Sequence, residues 1–470
     1  MTDIHSKDTD FSRRRFMQLM AGASLASVSG VLHGCSTKEA PPVPVQAKST
    51  FKESTSKRTV PFPKVKVSIG TPAAERYQVR PDLKRFSDYH KVWKVVADEL
   101  GAPAADDARM SNTIRNVKAG KIGYNVPVKD SFEARIFFAL SVAMYTWNTF
   151  VGPFGSGHEN RGFLSWLPQE LPPDLTATPL KFENTADVTK KIKVLAAYSG
   201  ADKARVTTID RRWVYATSTG NVKKPGPPES KPIVFQNVDQ PMETDSELVI
   251  PDSVRYAVVM LFVQPRALTQ IGPATLANAS SVGQGYSQMG LAAVSLAQAI
   301  RSLGYVAIPS MNDTAMNVPM AIDAGLGELG RLGYMITPEF GPHVRIAKVL
   351  TNLPLVPDPP ITFGVTEYCT NCGICAQECP SGAISPDKER TFAPPRSAIP
   401  CGNPGALKWY IDGKKCFRWW INAGAGCSRC MDVCPYTNAT MGDAFNGKTP
   451  SPAAFWELEH YAYGRRSIDY

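Results

Sequence analysis

The residues best suited to chemistry in this sequence are closely spaced cysteines near the C-terminus. The first run has the C-x2-C-x2-C-x3-C-P spacing of bacterial ferredoxins: Cys369, Cys372, Cys375, Cys379 and Pro380. A second run has a longer first gap and also ends in proline: Cys416, Cys427, Cys430, Cys434 and Pro435. Because short gaps let thiolates converge on one cluster of iron atoms, both runs predict iron–sulfur ligands.

In this spacing the fourth cysteine of a run binds the other cluster. The crossed pattern predicts that one [4Fe-4S] cluster is bound by Cys369, Cys372, Cys375 and Cys434. It predicts that the second cluster is bound by Cys379, Cys416, Cys427 and Cys430. Cys401 is the alternative to Cys416 as the remote ligand, and Cys416 is favoured.

Zinc and disulfide bonds are the competing interpretations of these sulfurs. Pairs of C-x2-C also form zinc ribbons, but zinc does not explain a Cys-Pro ending that occurs twice after such spacing. Structural disulfides would be scattered, whereas nine of the ten cysteines follow residue 368. The sequence therefore predicts that the C-terminal cysteines form an iron–sulfur segment that carries electrons into the rest of the chain.

The first 35 residues have the pattern of an export signal. SRRRFMQ at residues 12–18 precedes a weakly apolar run, rich in Ala, Gly and Ser, that is too short to span a bilayer. This arrangement resembles a twin-arginine signal, which directs folded proteins across a membrane. LHGC at residues 32–35 resembles a lipoprotein box. We therefore expect a protein at the periplasmic or outer face of the cytoplasmic membrane, peripherally attached or lipid-anchored through Cys35.

Composition and charge exclude some classes of partner. The 470-residue chain is 43% hydrophobic, which is enough to bury a full core, and its formal net charge is +10. The positive charge is spread along the chain, and no array of Arg and Lys is interleaved with aromatic residues. We therefore expect no nucleic-acid partner.

The pattern of apolar residues divides the chain into segments. They are the signal (1–35), a linker or extended arm (36–75), a catalytic core (76–355), a ferredoxin-type domain (356–445) and a C-terminal tail that packs on the core (446–470). Helices alternating with buried strands such as YAVVMLFV (256–263) predict an α/β or α+β core. A helix over 131–152 is predicted to be buried on nearly every face. Another is predicted to begin at Ser287.

The order of these parts resembles one family. The signal, an α/β region containing RRWVY, GYSQMG and AGLGELGRLGYMITPEFGPHVR, and the two-cluster tail are similar to corrinoid-dependent reductive dehalogenases over essentially the whole chain. The resemblance implies a nitroreductase-like core that binds a cobamide in the base-off state, without a protein ligand to cobalt. The sequence lacks the D-x-H-x-x-G motif that places histidine under cobalt, which agrees with that expectation.

Three residues match the family's catalytic positions by motif and by mutual spacing. Tyr286 in GQGYSQMG, just before the predicted helix, would donate a proton to the carbon that loses halide. Arg345 in GPHVR would lie near the phenol and favour its anion, and Asn312 in SMND would complete the hydrogen bonds. Taken singly, these residues would be a core aromatic, a surface ion pair and a turn residue.

The resemblance also implies contacts and partners. Gly325, Gly327 and Gly330 of GLGELGRLG would suit the close approach of a corrinoid, with a tight backbone crossing as the alternative. The substrate would be a small organohalide that serves as a respiratory electron acceptor. A membrane-anchor subunit and a respiratory electron donor would be the partners.

Two other functions remain possible from the sequence. An epoxyqueuosine reductase has a similar corrinoid core and ferredoxin segment, but it acts on tRNA in the cytoplasm, and the export signal argues against it. An exported iron–sulfur subunit that only transfers electrons would not need the large α/β region or the three matched residues. A family member that binds a corrinoid without dehalogenating stays open.

Overall fold

The structure is a computed structural model. It describes residues 63, 65–69, 78–101, 104–151, 164–166, 176–220, 229–441 and 451–456, without the side chains of 104–106 and 148–151. The predicted export signal, Cys35 and most of the predicted linker and tail lie outside these residues. None of the described helices is both long and apolar enough to span a membrane.

The described helices are grouped along the chain. The N-terminal group is α1 (Val92–Leu100), α2 (Ala104–Lys118), α3 (Ser131–Val151) and α4 (Thr185–Tyr198). The middle group is α5 (Arg266–Gln270), α6 (Leu276–Ser302) and α7 (Asn317–Asp323). The C-terminal group is α8 (Val365–Cys372), α9 (Ile374–Gln377), α10 (Gly413–Ala423), α11 (Arg429–Asp432), α12 (Pro435–Met441) and α13 (Pro452–Trp456). Helices α3 and α6 pack along each other.

The described strands form two four-stranded sheets and two small ribbons. The strands up to residue 251 are β1 (Ser68–Ile69), β2 (Lys203–Thr208), β3 (Thr217–Thr219), β4 (Ser230–Gln236), β5 (Met242–Glu243) and β6 (Leu248–Pro251). The later strands are β7 (Tyr256–Val263), β8 (Ala307–Ser310), β9 (Glu328–Leu329), β10 (Met335–Ile336), β11 (Val344–Thr351) and β12 (Ile361–Thr362). The predicted mixture of helix and sheet is confirmed.

The central sheet has the order β2-β7-β11-β8, and every neighbouring pair in it is antiparallel. In its register, Lys348 of β11 lies opposite Val259 of β7 and Ser310 of β8. The second sheet, β3-β4-β6-β5, contains one parallel pair, β4 with β6. The antiparallel central sheet makes α+β the better of the two predicted descriptions.

Strand β7 is buried on both faces, as its continuous apolar sequence predicts. Val258, Met260 and Phe262 pack with α6 in one core cluster. The alternating residues Val259 and Leu261 pack in a second cluster on the other face of the sheet. Burying both faces requires apolar residues at every position of the strand, since successive side chains point to opposite sides.

Helix α6 begins earlier than the sequence indicated, so the prediction that Tyr286 precedes the helix is wrong. The helix starts at Leu276, where the Thr275 side chain accepts a hydrogen bond from the Asn278 backbone N–H. Tyr286 therefore lies inside α6. Glycine weakens helix propensity, which explains why GQGY looked like a boundary. Here packing overrides that preference.

Helix α3 has the predicted extent but not the predicted burial. Its side chains contact α6 on one face, while the opposite face leaves large apolar residues in solvent. Phe132 is 71% exposed and Trp147 is 55% exposed. The prediction of a helix buried on nearly every face is therefore wrong, because an apolar composition alone does not identify which faces have a packing partner.

The predicted core and ferredoxin-type segments belong to the same compact unit, residues 44–470. A core cluster containing Leu332 and Ile336 also includes Cys369, Cys375 and Cys434. In the described part of the predicted tail, Phe455 and Trp456 lie against Phe137 of α3, with ring centroids 6.0 and 4.9 Å apart. Apolar burial therefore continues across the predicted boundary between core and ferredoxin segment.

Candidate active site and iron–sulfur centres

Tyr286, Asn312 and Arg345 meet although three different elements carry them. Tyr286 comes from α6, Asn312 from the turn after β8, and Arg345 from β11. The Asn312 side-chain amide donates a hydrogen bond of 2.7 Å to the Tyr286 hydroxyl. The Arg345 guanidinium carbon lies 5.0 Å from the centroid of the Tyr286 ring. We call these three residues the Tyr286 cluster.

Two glycines of α6 make room for the Tyr286 cluster. A Cβ atom on Gly285 would lie 2.7 Å from Cγ of Arg345, and one on Gly283 would lie 2.5 Å from the Tyr145 ring. The small residues of GQGY therefore allow Arg345 and Tyr145 to reach the helix on either side of Tyr286. This is their structural role, and the sequence pattern alone did not reveal it.

Arg345 is oriented so that its charge acts on the phenol. A cation over an aromatic ring is attracted by the ring, and a nearby positive charge stabilises a phenolate. The Nε atom of Arg345 is buried without a hydrogen-bond partner among the described residues. Because an unpaired buried donor is costly, this atom marks a position at which a further polar group would bind favourably.

Tyr145 of α3 forms a wall of the site that was missed in the sequence. Its ring is stacked on that of Tyr286, with centroids 6.5 Å apart and planes 25° apart. Burial, followed by the neighbouring Tyr286, raises the pKa of Tyr145 to about 12, although Arg345 opposes the shift. Tyr145 therefore keeps its proton at neutral pH and packs against the Tyr286 ring.

A turn built on Asp313 holds Asn312. The Asp313 carboxylate accepts a hydrogen bond of 2.8 Å from the Met311 backbone N–H, and the Ser310 hydroxyl donates to the Asp313 carbonyl at 2.7 Å. Thr314 completes the turn with a φ of 61°, a conformation that non-glycine residues seldom adopt. A strained residue beside a candidate active site is consistent with precise placement of Asn312.

The first cysteine group consists of Cys369, Cys372, Cys375 and Cys434, which line one cavity together. Burial raises the pKa of Cys369 to about 11 and that of Cys375 to about 12, and neighbouring thiols of the same group add to both shifts. Burial and the same neighbours also raise the pKa of Cys434. The structure thus brings together the four sulfurs that the crossed pattern assigns to one cluster.

The second cysteine group consists of Cys379, Cys416, Cys427 and Cys430. Burial raises the pKa of Cys416, and Cys427 and Cys379 are the next largest causes. Burial likewise raises the pKa of Cys430, with Cys427 and Cys416 next. Cys401 is placed differently. Burial raises its pKa to about 11, but its charged neighbours are Lys414, Glu99 and Asp412 and include no cysteine.

The number and grouping of these thiols suit multi-iron clusters. Within the described ranges, no three Cys, His, Asp or Glu side chains are close enough to bind a single metal ion. Each group supplies the four thiols that a [4Fe-4S] cluster requires, and the first group lies in an apolar core cluster. The donor sets therefore fit two such clusters.

Arg331 links the glycine-rich segment to the first cysteine group. Its side chain is only 1% exposed, and its Nε and Nη2 atoms each donate a hydrogen bond of 3.0 Å to the Cys369 carbonyl. Nη1 donates to the carbonyls of Ser385, at 2.9 Å, and Asp387. The guanidinium also lies 4.5 Å from the Trp409 ring centroid. It places a buried positive charge beside the ligands of the first group.

Tyr334 is near both the second cysteine group and the Tyr286 cluster. Burial raises its pKa most, then Cys430 and Cys416 raise it further, while Arg345 lowers it. The side chain is nevertheless 36% exposed. Tyr334 is therefore close to Cys430, to Cys416 and to Arg345, and it connects the second cysteine group with the Tyr286 cluster.

The three glycines predicted to contact a corrinoid are explained by contacts within the protein. A Cβ atom would lie 2.1 Å from the Pro359 carbonyl oxygen at Gly325, and 2.2 Å from the Ile336 carbonyl oxygen at Gly327. At Gly330 it would lie 2.6 Å from the Ile336 side chain. Glycine is thus required by tight backbone crossings at Gly325 and Gly327, which was the alternative interpretation. A corrinoid contact at these positions stays a prediction.

Gly325→Ala is expected to destabilise the protein by about 3 kcal/mol or more. The residue has a φ of 73°, and the new Cβ would clash with backbone, which has no flexible side chain to move away. Gly101→Ala is the matched control because its φ is 78° and no atom lies within 4 Å of the added Cβ. We expect only about 1 kcal/mol there. If Gly325→Ala and Gly101→Ala lose the same free energy of unfolding in urea, the close backbone crossing at Gly325 is refuted.

Comparison with known proteins places the chain in a family. Residues 368–448 match the 4Fe-4S dicluster domain family. The chain is 37% identical to the tetrachloroethene reductive dehalogenase of Sulfurospirillum multivorans over 342 residues, 70% of this chain and 66% of that protein. It is 36% identical to the tetrachloroethene reductive dehalogenase of Desulfitobacterium hafniense over 271 residues, 54% of this chain and 49% of that one. The chain belongs to the reductive dehalogenase family.

The fold agrees with this assignment. A solved reductive dehalogenase, whose structure suggests a mechanism for B12-dependent dehalogenation, aligns with 84% of this chain and 46% of its own. The TM-score is 0.51 at 21% sequence identity, so this likeness concerns the fold alone. The chain spans about two thirds of the length of the first relative and about half of the second.

Proposed function

We propose that this chain carries out the reductive dehalogenation of a small organohalide, with a base-off corrinoid, two [4Fe-4S] clusters and Tyr286 as the proton donor. The observation that carries the proposal is the meeting of Tyr286, Asn312 and Arg345, with Tyr334 close to both Arg345 and the second cysteine group. The relatives named for tetrachloroethene support the organohalide class of substrate. The solved relative associated with B12 supports the corrinoid.

The overall reaction consumes two electrons and one proton. The carbon–halogen bond breaks, halide leaves with an electron pair, and a carbon–hydrogen bond forms with the proton from Tyr286. When bound, a corrinoid supplies a low-valent cobalt that can reduce a carbon–halogen bond. The residues next to it would include Tyr334, Tyr286 and Arg345.

The chain's own residues then have defined tasks. The two cysteine groups would hold clusters, which can pass electrons one at a time from an external donor. The Tyr286 hydroxyl gives up its proton, and Arg345 stabilises the phenolate left behind. Asn312 keeps the phenol oxygen in place through its 2.7 Å hydrogen bond. Tyr145 packs against the ring and fixes its plane.

The cellular setting is part of the proposal. The twin-arginine pattern supports export, and the LHGC sequence ending at Cys35 supports attachment by a lipid. A respiratory electron donor and a membrane-anchor subunit at the outer face of the cytoplasmic membrane would then supply the electrons. Fractionation of cells that express the full chain tests this setting, and recovery of the mature protein in the cytoplasm would contradict it.

The activity is tested with the full chain, reconstituted without oxygen in the presence of iron, sulfide and a corrinoid. We expect about eight irons and about one cobalt per chain, and halide release with at least one member of a panel of chlorinated alkenes and aromatics. Zinc in place of iron would overturn the cluster assignment. Iron without cobalt would favour a subunit that only transfers electrons. Cobalt without halide release would favour a corrinoid protein with another activity.

Cysteine variants provide a matched control for the cluster assignment. Cys416→Ser should lower the iron content from about eight to about four, because the second group would lose a ligand. Cys401→Ser should keep about eight, since no other cysteine is among the charged neighbours of Cys401. The reverse result would move the remote ligand from Cys416 to Cys401.

A further inference from the structure

A lysine is completely buried in the central sheet beside the site. Lys348 of β11 has no exposed surface. Its Nζ atom donates hydrogen bonds to the Met311 carbonyl at 2.8 Å and to the Asn317 side-chain oxygen at 2.6 Å, and it lies 3.5 Å from the Asp313 carbonyl. Burying an amine is costly, so a lysine at this position needs a specific reason.

The hydrogen bonds of Lys348 continue as far as Tyr286. The Asn317 side-chain amide donates to the Asn312 side-chain oxygen at 2.9 Å. The Asn312 amide in turn donates to the Tyr286 hydroxyl at 2.7 Å. Lys348 is on the opposite face of β11 from Ala347 and Val349, which pack with α6. The chain of bonds therefore passes around the end of β8 and joins the two faces of the sheet.

The lysine determines the direction of every bond in this chain. A lysine ammonium group has only donors, so Asn317 must present its oxygen to Lys348 and its amide hydrogens to Asn312. Asn312 must then present its own oxygen to Asn317 and its amide hydrogens to Tyr286. The phenol oxygen consequently accepts a bond from Asn312, so the phenol hydrogen is not donated to Asn312.

We propose that Lys348 and Asn317 are positioning residues that orient the Tyr286 hydroxyl so that its proton points to the reacting carbon and not to Asn312. The inference rests on the proposed function for its catalytic meaning, but the direction of the bonds can be tested without turnover. Lys348 also fixes the backbone on both sides of Asn312, through the carbonyls of Met311 and Asp313.

The protonation state of Lys348 does not remove its two short bonds. Burial lowers the pKa of Lys348 to about 7, with Asp313 raising it and Lys91 lowering it. A neutral amine still has two N–H groups, which match the bonds to Met311 and Asn317. The ionised form strictly excludes the reversed direction, because it has no acceptor.

Asn317→Asp is the sharpest test because it preserves shape and the bond to Lys348. An ionised aspartate cannot donate, so Asn312 should turn its amide toward residue 317 and its oxygen toward Tyr286. The tyrosine would then donate its proton to Asn312. We expect kcat to fall at least about tenfold with KM unchanged, and no loss of stability in urea unfolding. Unchanged kcat would overturn the proposal.

Lys348→Met is tested in two backgrounds. Alone it should lower kcat at least about tenfold. Combined with Tyr286→Phe it should cause no further loss of kcat, because a residue that acts through Tyr286 has nothing left to orient. Equal losses in both backgrounds would mean a general structural role. Arg301→Met is the matched control, since it removes another buried cation bonded to backbone carbonyls, here those of Ala307, Ser165 and Trp166.

A nuclear Overhauser effect measures the bond direction independently of turnover. In protein labelled with 15N-asparagine, the Asn312 amide is identified by its loss in Asn312→Asp. A cross-peak from this amide to the Tyr286 ring is expected in the wild type and should vanish in Asn317→Asp. A cross-peak that persists would refute the inference. If the wild type shows the cross-peak but releases no halide, the proposed function fails while the bond direction stands.

Discussion

Tyr286→Phe is expected to lower kcat by about 10²- to 10⁴-fold while leaving the iron and cobalt contents unchanged. The substitution removes only the hydroxyl that accepts from Asn312, so α6 keeps its packing and Arg345 keeps an aromatic ring beneath it. The loss should appear in kcat, since the proton is transferred only as the carbon–halogen bond breaks. Halide release under saturating substrate is the measurement.

The control for this prediction is Tyr305→Phe. This substitution also deletes a tyrosine hydroxyl, which donates to the Leu180 carbonyl at 2.7 Å. Tyr305 follows the C-terminal end of α6, away from Tyr286. Its kcat should equal that of the wild type. Full halide release by Tyr286→Phe would remove Tyr286 from the role of proton donor, and the proton would then have to come from solvent or from another residue.

The grouping of the cysteines could be predicted because most of their spacing is local. Three ligands of the first group lie within a few residues of one another, and the ferredoxin pattern supplied the crossed fourth ligand. The choice of Cys416 over Cys401 depends on tertiary position, which local spacing does not define. In the structure, Cys416 is next to Cys427 and Cys379, whereas Cys401 is next to charged residues.

The Tyr286 cluster was predictable only through resemblance. Tyr286, Asn312 and Arg345 are far apart in sequence, and nothing in their local patterns shows that α6, the turn after β8 and β11 converge. Asn317 and Lys348 were missed for the same reason. Lys348 did leave one signal, a single charged residue among the apolar residues of IAKVLT. Its meaning depends on the turn that carries Asn312 and Asn317 past the end of β8.

The glycine-rich segment GLGELGRLG has a structural role within the protein. Gly325 and Gly327 are needed where protein backbone crosses within van der Waals distance, while contact with a flat cofactor stays a prediction. The segment also carries Arg331 into the ferredoxin-type region, where its donors meet carbonyls between residues 369 and 387. Its clearest function is therefore to connect the core to the first cysteine group.

Arg331→Met should have the largest effect on stability. Methionine matches the aliphatic part of the side chain but removes the donor to the carbonyls of Cys369, Ser385 and Asp387, of which Cys369 is buried. Breaking such a buried charged network costs on the order of 3–5 kcal/mol. Because the Cys369 carbonyl belongs to a ligand residue, the first group should also lose its cluster, and iron should fall from about eight to about four per chain.

Arg390→Met is the matched control for Arg331. Its guanidinium carbon lies 5.9 Å from the centroid of the same Trp409 ring, so it removes a cation from that ring without disturbing the carbonyls near Cys369. We expect the iron content and the urea unfolding midpoint of this variant to match the wild type. Arg331→Lys keeps the positive charge but loses the planar set of N–H donors. It should therefore retain part of the iron content and part of the stability. An Arg331→Met protein with a full complement of iron would show that the first cysteine group is held without this arginine, and its ordering would then have to come from the surrounding apolar cluster alone.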